Sequence, residues 1–389
     1  MPVISSRAIA LVAGSLFSGW AGAKDAPAPA PPADPKAVEL IQELGLTESA
    51  VALRDIQGWR APKRVIMYTK TPLGNLSGPV GDRLRAAAAP VEFVTVDTVE
   101  DVIAKAGDAD AVIGGDDVAC DERVLAAGKK LRWVAVFSSG VEYCLGKPAL
   151  ERPGLVVTNM RAVLGPVMAE HTIALTFALS RSLHLSIARQ ARGEGWGGGF
   201  AASPPQALTG KTMLVVGLGG IGHEVAWRAH ALGMKVIATR ASKKDKPDYV
   251  SYVGLSDELP TLIGQADVVV SALPLTPATT NLFDAKMFAR MKKGATFINV
   301  GRGGSVVTDD LVAALNDGTI AGAGLDVTEP EPLPKDHPLW RAKNIIITPH
   351  MSAISDLGHA KRELILREQL RRFAVGDKLL SVVDFKKGY

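Results

Sequence analysis

The sequence predicts an α/β chain built on two doubly wound parallel sheets, and three observations carry that expectation. From Lys63 onward, short β-branched runs alternate with helical stretches. The runs are apolar throughout, so each sheet needs both faces covered by helices. They also fall into two sets, separated by a long apolar helix expected over 166–182, and 389 residues leave room for two domains.

Composition narrows the function classes. Hydrophobic residues make up 47% and charged residues 22%, which excludes a disordered or fibrous chain. The net charge of +4 comes with no dominant Lys/Arg block, so nucleic acid is not an expected partner. Two cysteines, Cys120 and Cys144, are too few for a disulfide framework or a four-ligand zinc site. No metal is expected.

The first 23 residues read as a signal peptide. Arg7 supplies the positive charge, Ala8 to Phe17 the apolar run, and Ala21-Gly22-Ala23 the small-residue cleavage site before Lys24. An exported, periplasmic protein follows, with a cytoplasmic one as the alternative and no membrane anchor in the mature form. The segment 24–60 starts with a proline-rich spacer, Ala26 to Pro35, and continues into one or two short amphipathic helices over Lys36 to Ile56.

Strands of the first set are expected at Arg64–Tyr68, Val91–Val96, Ala111–Ile113 and Trp133–Phe137. Those of the second set are Met213–Val216, Val236–Thr239, Val268–Ser271, Thr296–Val300, Gly324–Val327 and Ile345–Thr348. A second long helix, from about Ser355 to Ala374, follows the last strand. Its Lys361, Arg362, Arg367, Arg371 and Arg372 read as a solvated face.

Chemistry concentrates where glycines cluster. Gly217-Leu218-Gly219-Gly220-Ile221-Gly222 follows a strand and opens a helix, the frame in which a glycine-rich turn binds a dinucleotide. Gly217 permits the tight turn, Gly219 lets backbone approach the pyrophosphate, and Gly222 lets helix pack on strand. Gly210-Lys211-Thr212 resembles the tail of a nucleotide-binding P-loop, but Pro205 stands where its first glycine belongs. The strand after the turn ends at Arg240, the place where a carboxylate normally bonds the ribose of NAD. With Ser242, Lys243 and Lys244 in the same turn, Arg240 favours the 2′-phosphate of NADP(H), with NAD(H) as the alternative.

Redox chemistry on a hydroxyl or carbonyl needs a proton carrier and a positive charge near the oxygen. Of seven histidines, His171 and His184 fall on the junction helix, His223 and His230 on the helix after the glycines, His337 in a loop and His359 on the last helix. His350 stands apart because it follows a strand at the edge where doubly wound sheets bind ligands. Arg302 and Asp326 have the same placement, and Glu331 lies five residues after Asp326.

These segments resemble the D-isomer-specific 2-hydroxyacid dehydrogenases over nearly all of residues 63–389. The resemblance is carried by LTGKTMLVVGLGGIG (208–222), ALPLTPATTNLFDAKMFARMKKGATFINVGRG (272–303), GLDVTEPEPLP (324–334), NIIITPH (344–350) and the tail KLLSVVDFKKGY. It implies two Rossmann/flavodoxin-like domains with an interdomain cleft: a substrate domain of about 60–160 plus 352–389, and an NAD(P)-binding domain of 161–351. It implies that Arg302 binds the substrate carboxylate and polarises the 2-oxo group, and that Glu331 and His350 form the acid/base pair. Ser139 and Gly140, in the loop Phe137 to Val141, would hold the carboxylate through backbone N–H groups. Leu273, Pro274, Val300 and Asp326 would join Gly217, Gly219, Gly220, Ile221 and Gly222 around the cofactor. A homodimer is implied as well. The chain departs from the family where glycines commonly follow the histidine, having Met351-Ser352-Ala353 instead.

The expected function is reduction of a small 2-oxo acid, of glyoxylate or hydroxypyruvate type, to its D-2-hydroxy acid. Formate-type oxidation, or a cofactor-binding regulatory or interaction role on the same fold, is the alternative. The cofactor reading is the sharpest: kcat/KM should clearly favour NADPH over NADH, a tenfold preference corresponding to about 1.4 kcal/mol. Arg240→Asp should erase or reverse that preference, and equal use of both cofactors by the unmutated enzyme would defeat it.

Overall fold

The computed structural model describes residues 31–71, 73, 76–196, 204–242 and 244–388. The expected signal peptide and Lys243 lie outside the described residues. Helix α1 (Pro35–Glu43) precedes the first sheet. That sheet holds β1 (Arg64–Tyr68), β2 (Glu92–Val96), β3 (Ala111–Gly114), β4 (Trp133–Val136) and β5 (Val156–Thr158) in the order β2-β1-β3-β4-β5, parallel throughout. Helices α2 (Pro79–Ala88), α3 (Val99–Ala106), α4 (Asp116–Ala119) and α5 (Glu122–Ala127) connect them.

After α6 (Gly165–Ser180) and α7 (Leu183–Ala191), the second sheet begins. Its strands are β6 (Thr212–Val216), β7 (Lys235–Arg240), β8 (Tyr252–Leu255), β9 (Val268–Ser271), β10 (Thr296–Asn299), β11 (Gly322–Leu325) and β12 (Ile345–Ile347), in the order β12-β11-β10-β9-β6-β7-β8. Helix α8 (Gly220–Ala231) follows β6, α9 (Leu259–Leu262) follows β8, α10 (Ala285–Ala289) follows β9, α11 (Thr308–Asp317) follows β10, and α12 (Asp356–Ala374) follows β12. Strand order reverses beside β6, and that crevice is where open α/β sheets take ligands.

The ten expected strands are present, with ends shifted by a residue or two. Two short edge strands, β5 and β8, went unread: β5 has only three residues, and β8 carries an exposed Tyr252 and an interior glycine. Three further readings need correction. The junction helix is broken, because Ser182 takes a left-handed conformation (φ +54°) that ends the hydrogen-bond ladder of α6. His171 therefore sits on α6 but His184 on α7.

The basic residues of α12 are not a solvated face. The helix packs against both α1 and α2; Arg362 is only 5% exposed, and Arg371 and Arg372 both donate to the buried Glu368 at 2.8 and 2.7 Å. Glu368 supplies the counter-charge that lets the two arginines lie against the protein. The third correction concerns the cysteines. Though too few for a framework, Cys120 and Cys144 form one disulfide, joining the end of α4 to the loop after β4.

Helix α12 belongs physically to the first sheet. Trp133 of β4 is fully buried, donates from its indole N–H to Thr158 at 2.9 Å, and lies 5.0 Å from the ring of Phe373 on α12. Arg83 of α2 holds Glu363 of α12 through two bonds, at 2.5 and 2.8 Å. Helix α6 instead packs on α8 and on β10 and β11 of the second sheet. The carboxyl ends of both sheets meet where the loop after β4 touches the loop after β10.

Candidate active site

The glycine turn is shaped as its sequence requires. Gly217 has φ +97°, and a Cβ there would lie 2.9 Å from the carbonyl oxygen of Ala272. At Gly222 a Cβ would sit 2.1 Å from the Gly217 carbonyl, so only glycine lets α8 start this close to β6. Gly220 packs against Ala162, where a Cβ would meet another at 2.8 Å. Gly219 differs: nothing lies within 4 Å of its Cβ position, and no side chain caps α8. The first N–H groups of a helix have no intrahelical partners, so open space at an uncapped N-terminus suits a pyrophosphate. The residues present fit a dinucleotide.

Arg240 ends β7. Its guanidinium reaches only the backbone carbonyl of Asp245 (3.4 Å), and among the described residues no carboxylate pairs with it. Lys244, by contrast, is committed to Glu258 at 2.6 Å. Among the described residues of this turn, Arg240 is the cation without a carboxylate partner, and it stands beside the exposed Ser242. His223, bonded through Nδ1 to the Tyr249 hydroxyl at 2.9 Å, has its pKa lowered by burial and then by the charge of Arg240.

Arg302, Asp326 and His350 follow the carboxyl ends of three adjacent strands, β10, β11 and β12. Asp326 is 1% exposed, and its carboxylate accepts hydrogen bonds from the Thr348 hydroxyl (2.7 Å) and the N–H groups of Met351 and Ser352 (2.9 Å each). Burial raises its pKa, but the bonds from Ser352 and Thr348 outweigh that and hold it below the ordinary value. This binding pulls the chain back sharply after β12. His350 takes a left-handed φ of +50°, and its N–H donates to the Asp326 carbonyl at 2.8 Å.

The turned-back imidazole meets Glu331, with Nδ1 2.5 Å from the carboxylate. Both side chains remain partly open to solvent, at 45% and 39%. Nδ1 is engaged, so Nε2 is the nitrogen left for proton exchange.

Arg302 is set by its own loop and by the opposite sheet. Asn299 receives the Gly301 N–H and donates to the Arg302 carbonyl at 3.0 Å. The guanidinium spans to Glu142 in the loop after β4, with Nε at 2.9 Å and Nη2 at 3.4 Å from the two carboxylate oxygens. Gly140 is pressed against the same group: a Cβ there would fall 1.6 Å from Nη2. The Ser139 hydroxyl donates to the Met160 carbonyl, and Asn159 donates to the Ser139 carbonyl at 2.8 Å. Among the described residues, the N–H groups of Ser139 and Gly140 have no acceptor.

The structure therefore brings Ser139 and Gly140 to Arg302, and Glu331 and Asp326 to His350. Leu273 lines the turn beside Gly217, and Val300 is buried at the end of β10. Two participants went unread. Glu142, one residue beyond the expected loop Phe137 to Val141, was passed over, and His171 was read as an ordinary helix residue although its Nε2 lies 2.9 Å from Thr348 Oγ1 and 3.6 Å from Asp326. Among the described residues no cluster of His, Cys, Asp and Glu could hold a metal ion.

A dinucleotide cradle, an arginine and a carboxylate–histidine pair along one carboxyl edge define an α/β protein with the parts of a nicotinamide-linked oxidoreductase. Residues 173–352 match the family model for the D-isomer specific 2-hydroxyacid dehydrogenase NAD binding domain. The chain is 35% identical over 239 residues to the human glyoxylate reductase/hydroxypyruvate reductase, covering 60% of this chain and 71% of that protein. It is 33% identical to the D-3-phosphoglycerate dehydrogenase of Methanocaldococcus jannaschii over 76% of its own length, but spans only 55% of that longer protein. The solved NADPH-dependent glyoxylate/hydroxypyruvate reductase of Sinorhizobium meliloti, bound to NADP and sulfate, superposes with a TM-score of 0.67 at 27% identity, covering 84% of this chain and all of that one. The chain belongs to the D-isomer-specific 2-hydroxyacid dehydrogenase family and contains its NAD(P)-binding domain.

Asp326 makes a pH prediction. A carboxyl group with a lowered folded-state pKa adds stability above its unfolded pKa, near 3.9, and loses it as pH falls through the folded value. The wild-type protein should lose stability below about pH 4 more steeply than Asp326→Asn. Denaturant titrations from about pH 6 down to about pH 2, which span the unfolded value and the lowered folded one, would show this; parallel curves would contradict the assignment.

Proposed function

We propose that the protein is an NADPH-preferring oxidoreductase that interconverts a small 2-oxo acid, of glyoxylate or hydroxypyruvate type, and its D-2-hydroxy acid. The observation that carries this reading is the 2.5 Å Glu331–His350 pair on the same sheet edge as Arg302. Arg302 binds the acid's carboxylate and polarises its 2-oxo group, while the N–H groups of Ser139 and Gly140 help hold the carboxylate. His350 carries the proton to and from the 2-oxygen through Nε2, and Glu331 fixes the ring and faces the imidazolium form. Gly217, Gly219, Gly220, Ile221, Gly222, Leu273, Pro274, Val300 and Asp326 would hold the dinucleotide, with Arg240 and Ser242 at its 2′-phosphate. When bound, the nicotinamide supplies or receives the hydride exchanged with C2. The likeness to relatives named as glyoxylate or hydroxypyruvate reductases supports the substrate class.

The same reading includes two domains, about 60–160 plus 352–389 and 161–351, with the reaction between them. It includes a homodimer: helix α7 has no buried residue, and Leu183, Ile187 and Trp227 expose apolar surface that a second copy would cover. It also includes export. A disulfide in a chain with only two cysteines suits an oxidising compartment. N-terminal sequencing of the protein from its native host should find Lys24 first; an intact Met1 or Pro2 would rule export out.

The purified protein should oxidise NADPH on addition of glyoxylate. His350→Gln should lower kcat by roughly 10²–10⁴-fold while leaving NADPH binding intact, as expected for removal of a general acid/base. Near-normal turnover by that variant would refute the role of His350.

A further inference from the structure

We infer that Glu142 is a positioning residue for the reaction, holding the Arg302 guanidinium from across the cleft so that its open edge faces the acid. The inference rests on the reading of Arg302 as the carboxylate-binding group. A guanidinium carries five N–H donors in a planar fork. Here Nε and Nη2 point to the two oxygens of Glu142, at 2.9 and 3.4 Å, and Nη1 donates to the Gly301 carbonyl at 2.8 Å. Three donors are thus spent on fixing the plane. One hydrogen on Nη1 and one on Nη2 remain for the carboxylate of the acid.

Without Glu142 the side chain would regain much of its rotamer freedom. Gly301 belongs to the arginine's own loop and restrains a single nitrogen. Glu142 comes from the other sheet, so it alone of the two ties the orientation of Arg302 to the approach of the substrate loop.

That loop is built to hold the carboxylate in place. Glu142 lies two residues beyond Gly140 and two before Cys144, whose disulfide to Cys120 anchors the loop to the end of α4. Gly140 and Glu142 are therefore held against Arg302 by one anchored loop. The missing side chain at Gly140 is what allows that contact. A second acid, Asp116, stands behind the pair. Its pKa is raised by burial and then by the charge of Glu142, against an opposing pull from Arg302. Asp116 makes no hydrogen bond to Arg302, so it does not duplicate the contact.

The test compares Glu142→Ala, Glu142→Gln and Glu142→Asp in the full-length enzyme, with glyoxylate as substrate. Misplacing a binding group by about 1 Å can lower the rate by about 10²-fold, so Glu142→Ala should lose about that much in kcat/KM. Its NADPH affinity, read by cofactor fluorescence, should be unchanged. Glu142→Gln keeps the shape but not the charge and should lose less, about tenfold. Glu142→Asp should recover activity relative to Glu142→Ala. In an Arg302→Ala background, Glu142→Ala should have almost no further effect, because the group it positions is gone. Unchanged kcat/KM in the Gln and Ala variants, or an equal loss with and without Arg302, would overturn the inference alone. Failure of the wild-type enzyme to reduce glyoxylate, or indifference of turnover to Arg302→Ala, would overturn the functional reading and this inference with it.

Discussion

A buried charge organises the site. Asp326 is sealed from solvent at the end of β11, and an ionised carboxylate in that position is tolerable only if donors surround it. The donors come from the segment after β12: the Thr348 hydroxyl and the amides of Met351 and Ser352. To deliver them the chain doubles back, and His350 takes up a left-handed conformation that a non-glycine residue rarely adopts. That turn sets the imidazole against Glu331. The contact between Glu331 and His350 is thus a consequence of how one buried aspartate is satisfied, and the strain at His350 is held by the surrounding bonds.

The opposite half of the site depends on absence of side chains. Gly217 and Gly222 let β6 and α8 meet at backbone distance, and Gly219 leaves the helix terminus open. Gly140, in the loop after β4, does the same for Arg302, admitting its guanidinium to the backbone there. Charge then completes what shape begins. Lys244 is bonded to Glu258, while Arg240 at the end of β7 reaches the Asp245 carbonyl and, among the described residues, no carboxylate.

Much of this was legible in the sequence because its signals are local. A glycine turn between strand and helix, or a polar residue just after an apolar strand, can be placed from neighbours alone; Arg302, Asp326 and His350 were read that way, and Glu331 from its place five residues after Asp326 and from the family resemblance. Glu142 and His171 were not, because their partners stand 160 and 177 residues away and no periodicity announces them. The basic residues of α12 illustrate a different failure. Glu368 sits three and four residues before Arg371 and Arg372, a spacing that favours pairing, yet what buries the group is packing against α1 and α2. Cys120 and Cys144 were counted correctly as too few for a framework, but a count says nothing about which two ends a fold brings together.

The proposed function requires the carboxyl edges of the two sheets to form one stereospecific site for hydride and proton exchange on a 2-oxo acid. Chiral analysis of the product tests it most directly. Hydroxypyruvate incubated with the purified enzyme and NADPH should yield D-glycerate alone. Formation of the L isomer, a racemic product, or no glycerate at all would contradict the account.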